Sequence, residues 1–258
     1  MVIGGSGSRR CVLLGDVASS RDTDNITQTI LVHLRDGEVW QSGNEGYSWA
    51  IPKAVEKEKV LAVYHHQYSH DRAYLITQKK IYVTTDTGRS YTGLDLPSPP
   101  NMMGLALIHT HPLESDWLIY VGAEDCSTAA ASNCRAVAYY SVNHGRSWTT
   151  IEKYVRSCSW ARDKDLKIDA RLIMCESYRD KKGSQLFFGG NNPLELWIGG
   201  KFYQDRKKLF DNVVGHAKFS KYLLVGEVNF QFGPHRSVHS SIAVHSGEQK
   251  LSRPASVA

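Results

Sequence analysis

Residues 141–148 read SVNHGRSW, and two further stretches repeat the pattern: QSGNEGYSW ending at Trp49 and TTDTGRSY ending at Tyr91. Aligned on the glycine, the copies are Ser42, Asn44, Gly46, Ser48, Trp49; Thr84, Asp86, Gly88, Ser90, Tyr91; and Ser141, Asn143, Gly145, Ser147, Trp148. The glycines stand 42 and 57 residues apart. An internal repeat near this length suits one four-stranded blade, each unit burying its apolar face only against a neighbour.

Every position of the box has a structural task. Asp or Asn accepts backbone N–H bonds within a turn and tolerates unusual backbone angles. Gly supplies a positive φ without steric cost. The hydroxyl adds a second local bond, and the Trp or Tyr folds back to cover the turn with a large apolar surface. The box is expected to staple a hairpin rather than to carry chemistry.

Around the boxes the chain reads as β almost throughout. ILVHL, EVWQS, KVLAVYHH, RAYLITQ, KIYVTT, LALIHTH, WLIYVGA and AVAYYSV are short runs rich in β-branched and aromatic residues. Turn signals fall between them: DG at 36–37, DTG at 86–88 and NHG at 143–145. The stretch 151–163 is the one place where a helical turn or two is expected. Many short strands at regular spacing define a propeller, barrel or sandwich, and the repeat selects the propeller.

The totals set limits. The chain has 258 residues, 41% hydrophobic and 22% charged, with a formal charge of +5. This is the composition of a globular chain. Basic residues are scattered; Arg179 to Lys182 and Arg206 to Lys208 read as solvated turns, since a nucleic-acid surface needs a continuous basic stripe. No apolar run has the length of a membrane span. At the N-terminus only Cys11 to Leu14 form an apolar run, too short for a secretion signal.

Four of the five cysteines form two pairs close in sequence. Cys126 and Cys134 bracket a small polar loop after WLIYVGA, and Cys158 and Cys175 bracket what reads as the ends of two strands. Local closure of this kind is what structural disulfides do in oxidising compartments. Cys11 is left over. His109 and His111 could be metal ligands, but no third ligand accompanies them and neither cysteine pair has zinc spacing. No metal or cofactor is expected. Asn25-Ile26-Thr27 is a glycosylation sequon.

The boxes are Asp boxes, which occur in sialidases, other glycosidases and sortilin-type sorting receptors. The stretches LPSPPNMMGLALIHTHPLESDWLIYVGAEDC (96–126), CRAVAYYSVNHGRSWTTIEKYVRSCSWARD (134–163), LIMCESY (172–178) and LFDNVVGHAKFSKYLLVGEV (209–228) resemble the luminal domain of the sortilin family, above all its fungal vacuolar sorting receptors for carboxypeptidase Y. The resemblance implies a ten-bladed propeller in which Cys126 pairs with Cys134 and Cys158 with Cys175. It covers about residues 25–228, a partial propeller of four to five blades, and treats 1–24 as a segment of unassigned fold and 229–258 as a divergent polar segment. The chain therefore reads as a fragment, a truncated duplicate or a product of an altered reading frame.

The expectations for function follow. The leading one is the luminal cargo-binding part of a receptor that carries soluble hydrolases from Golgi to endosome or vacuole, through peptide segments of the cargo, with the parent receptor anchored in the membrane. The resemblance identifies no contact residues. Protonation of some of the eleven histidines could release cargo on acidification. A sialidase-like glycosidase is the alternative, but it needs paired carboxylates or a Tyr–Glu pair with an arginine cluster, and no arginine motif of that kind is visible. A non-functional receptor relic is the third.

Overall fold

A computed structural model describes residues 8–14, 28–102, 106–126, 134–161, 169–179, 194–218, 222–229 and 237–244. The chain forms two compact units. The first is Met1–Pro100 with Ser115–Trp117 and Ser141–Ser147; the second is Asn101–Glu114 with Leu118–Tyr140 and Trp148–Ala258.

In the first unit, strands β1 (Ser8–Leu14), β2 (Thr29–Leu34) and β3 (Val39–Ser42) form one antiparallel sheet in chain order. β2 alternates buried and half-buried residues, the pattern of a strand with one covered face. Gly37 turns the chain into β3 at φ 97°, where a Cβ would lie 2.6 Å from the Lys59 side chain. Strands β4 (Ala62–His65), β5 (Ala73–Ile76), β6 (Lys80–Thr84) and β7 (Thr92–Asp95) form a second antiparallel sheet, again in chain order. The whole of β5 is buried, as a central strand covered on both faces must be. Val12, Leu14, Leu31 and Val39 from the first sheet and Val63, Ala73, Leu75 and Tyr82 from the second form one apolar cluster. Each such aliphatic side chain contributes roughly 1.5–3 kcal/mol of burial.

In the second unit, β8 (Ile108–Thr110), β9 (Leu118–Glu124), β10 (Arg135–Ser141) and β11 (Thr149–Lys153) form a third antiparallel sheet. β12 (Val155–Trp160), β13 (Ile173–Tyr178), β14 (Leu194–Gly199), β15 (Asp205–Lys218), β16 (Tyr222–Asn229) and β17 (Ser237–Val244) form the fourth, also in chain order. Met174, Leu194, Leu196, Val213 and Val225 make a core on this sheet. Among the described residues, no helix is long and apolar enough to cross a membrane.

Residues 151–161 correct a sequence expectation, and the last two residues of the expected helical stretch, 162 and 163, lie outside the described residues. Apolar residues at 151, 154, 155 and 158 have helical spacing, yet the chain forms β11 and β12 on either side of Tyr154. Tyr154 is left-handed, at φ 59°; its N–H donates to the Ala136 carbonyl, and its own carbonyl accepts from Tyr178 N–H. Pairing with β10 on one side and β13 on the other outweighs the local pattern. Arg206 to Lys208 are likewise not a turn but the start of β15.

Candidate functional site

The three boxes fold alike. The hydroxyls of Ser42, Thr84 and Ser141 donate to Oδ1 of Asn44, Asp86 and Asn143 at 3.0, 2.8 and 2.9 Å. The same hydroxyl oxygens accept the N–H of Gly46, Gly88 and Gly145, each at 2.8 Å. Oδ1 also accepts the N–H of Ser48, Ser90 and Ser147 at 2.9, 2.9 and 3.0 Å. The glycines sit at φ 91°, 83° and 90°, and the residues before them, Glu45, Thr87 and His144, at 58°, 57° and 60°. Each turn thus holds two consecutive left-handed residues, of which only the second is Gly.

Asn and Asp differ in one bond. Asn44 and Asn143 donate Nδ2–H to the hydroxyls of Ser48 and Ser147 at 2.9 and 2.8 Å. In the second box the direction reverses, and Ser90 Oγ donates to Asp86 Oδ2 at 2.6 Å. Burial would push the Asp86 carboxyl up, but the bonds from Ser90, from Thr84 and from Arg89 N–H outweigh it and hold it below the usual range. Trp49 Nε1–H donates to the Gly46 carbonyl at 3.0 Å. In the second box Gln41 makes the matching bond, donating Nε2–H to the Gly88 carbonyl at 2.8 Å while its Oε1 accepts the Tyr91 hydroxyl at 2.8 Å. Trp148 packs against Tyr120, ring centres 5.6 Å apart.

A fourth turn of the same kind lies at residues 199–206, GGKFYQDR, which the sequence pattern does not reveal. β14 ends at Gly199 opposite Ile173, as β6 ends at Thr84 opposite Ala73. Phe202 N–H donates to the Arg171 carbonyl at 3.0 Å, as Thr87 N–H does to Asp71 and His144 N–H to Asp116, both at 2.9 Å. Phe202 at φ 58° and Tyr203 at 76° take the two left-handed positions, and Lys201 before them is left-handed as well, at 49°, which no box shows at that place. The Asp-to-Ser bond is replaced by an ion pair of opposite sense, Lys201 Nζ to Asp205 Oδ2 at 2.9 Å. Arg206 stands where the other boxes have an aromatic residue. It lies over the rings of Trp197 and Tyr203 at 5.7 and 5.8 Å and pairs with Glu152. Burial pushes the Tyr203 phenol up to about 12. Spacing was the one available signal, since Tyr203 follows Gly145 by 58 residues, beside the 57 between Gly88 and Gly145.

Ion clusters lie in both units. In the first unit, Arg72 Nη1 donates to Asp116 Oδ1 and to the Ser115 carbonyl, each at 3.0 Å. His144 Nε2 lies 2.9 Å from the same Asp116 oxygen. In the second unit, Glu176 is buried at 2% exposure between Arg156 and His216, at 2.6 Å from each. Burial would push its carboxyl up, but the bond from His216 and the Arg156 charge outweigh that and hold it below the usual range.

Cys126 is bonded to Cys134, and Cys158 to Cys175; Cys11 is free and exposed. Cys158 and Cys175 are register partners in β12 and β13. His111 is occupied by structural bonds, its Nδ1 accepting from Leu113 and Glu114 N–H at 3.2 and 2.9 Å and its Nε2 lying 2.9 Å from the Ala170 carbonyl. Its ring meets Trp160 edge-on, and Trp160 Nε1 donates to the His109 carbonyl. The Asn25 sequon lies outside the described residues.

Antiparallel sheets in chain order, three of them bearing Asp-box turns, define part of a β-propeller. The family model for sortilin and Vps10, described as sortilin, neurotensin receptor 3, matches residues 37–247. A vacuolar protein sorting/targeting protein 10 from Laccaria bicolor is 49% identical over 202 residues, covering 78% of this chain and 14% of the relative. Its namesake from Mycosarcoma maydis is 45% identical over 224 residues, covering 84% of this chain and 15% of the relative. An oligogalacturonate lyase in complex with manganese shares the fold alone, with a TM-score of 0.50 at 9% identity over 90% of this chain and 70% of that one. The chain belongs to the sortilin-Vps10 family. It spans only 14 to 15% of the length of these two relatives.

Proposed function

We propose that the chain is a luminal cargo-binding portion of a sorting receptor that moves soluble hydrolases from the Golgi to the endosome or vacuole. The family match over residues 37–247 carries this reading, with relatives named for vacuolar protein sorting and targeting. The boxes support a binding scaffold, because their polar side chains are spent on the turns themselves. The two local disulfides support an oxidising lumen. Cargo engages through exposed peptide segments, and the parent receptor is anchored in the membrane.

The test is to secrete the 258-residue chain from a eukaryotic host, map its disulfides without reduction, and measure binding to purified vacuolar hydrolase precursors. Saturable binding that is lost on reduction of the disulfides is expected. A chain with both disulfides in place that binds none of the precursors overturns the reading.

A further inference from the structure

His144 holds the left-handed position of the third box, and its ring stands between opposite charges. Nε2 is 2.9 Å from Asp116 Oδ1, and Nδ1 is 3.3 Å from Arg72 Nη1. A guanidinium can only donate, so Nδ1 must offer its lone pair and Nε2 must carry the proton. The geometry therefore selects the neutral imidazole. The same residue's backbone N–H donates to the Asp116 carbonyl, so one residue ties segment 141–147 to segment 115–117 twice. The other charged groups facing the ring are Arg146 on its own turn and Asp71 beside Arg72. The Tyr74 phenol, near Arg72, Asp71 and Asp116, is held neutral by burial.

We propose that His144 is an acid-sensitive latch on the third box turn. A proton taken from solvent at Nδ1 sets two donors face to face, His144 against Arg72, and segment 141–147 opens. Burial first, then the Arg72 and Arg146 charges, hold the imidazole below its ordinary value, against the opposing pull of Asp116 and Asp71. A group depressed in the folded state stabilises the fold above its unfolded value, near 6.5 for histidine, and loses that contribution as pH falls through the folded value. The latch therefore works below the ordinary histidine value. One proton changes an opening equilibrium by at most about tenfold per pH unit. The first and second boxes carry Glu45 and Thr87 at this position, so the molecule contains its own controls.

The experiment follows amide hydrogen exchange of the full chain from pH 7.5 to 5, expressed as protection factors, together with the NMR titration of His144. Protection at Gly145 and Ser147 is expected to fall by up to about tenfold per pH unit, with the midpoint of His144 titration. Gly46, Ser48, Gly88 and Ser90 should keep theirs. His144→Gln, whose amide can donate to Asp116 and accept from Arg72 without titrating, should abolish the fall. Should that variant fail to fold, the coincidence of the two midpoints in the unaltered chain decides. Equal protection changes in all three boxes, a fall that persists in His144→Gln, or midpoints that do not coincide would overturn the latch.

Discussion

Asp86 and its counterparts Asn44 and Asn143 show how much of a box is carried by one oxygen. Oδ1 accepts two bonds in all three turns, whereas the second side-chain atom either donates to the neighbouring serine or accepts from it. Asp86→Asn should therefore change stability by less than about 0.5 kcal/mol at neutral pH, and Asp86→Ala should cost about 1–2 kcal/mol by stranding Ser90 N–H and the Thr84 hydroxyl. The Asp86 carboxyl is depressed in the folded state, so its contribution is present above the ordinary carboxylate value and is lost as pH falls through the folded one. Chemical denaturation of the two variants between pH 7 and 3 checks both points, because Asp86→Asn should lose less stability on acidification. These residue roles were legible in the sequence, since Asx, Gly and hydroxyl side chains act over four residues. The left-handed Glu45, Thr87 and His144 were not, because Glu and Thr do not favour that conformation and the enrichment of His there does not single out a position.

At the scale of the element, the turn at 199–206 keeps a box's place in the sheet and its two left-handed positions, loses its letters and adds a third left-handed residue. Three successive non-glycine residues, Lys201, Phe202 and Tyr203, have positive φ, a strain that surrounding contacts must offset. Phe202 stacks on Tyr140 with ring centres 4.7 Å apart, and Arg206 covers Trp197 and Tyr203. Arg206→Ala should cost about 1–2 kcal/mol, through the lost cation–π contacts with Trp197 and Tyr203 and the lost ion pair with Glu152. Arg206→Trp, which restores the residue type of the other boxes, should retain more stability than the alanine variant; thermal unfolding of the two compares them. The sequence reading missed this turn because its pattern rests on residue identity, whereas the hairpin is specified by β14 and β15 pairing around it. The same reason explains 151–161, where pairing partners far along the chain overrode a helical spacing.

At the scale of the whole molecule, each unit carries its own core, and both disulfides lie in the second. Replacing Cys158 and Cys175 by Ala should cost about 3 kcal/mol, and replacing Cys126 and Cys134 about 2.5 kcal/mol, since the shorter loop restricts the unfolded chain less. Urea unfolding followed by probes in each unit checks this, with the larger loss expected in the second unit.

The sequence by itself determined the all-β class, the three boxes, the two cysteine pairs and the sortilin resemblance, because each is written in residue types that act locally or at a fixed repeat. Only the tertiary structure decided the fourth turn, the exchange of Gln41 for an indole at the second box, the buried Glu176 cluster and the neutral His144 between Arg72 and Asp116. Those depend on which distant side chains share a site, and burial then sets what each titratable group can do there.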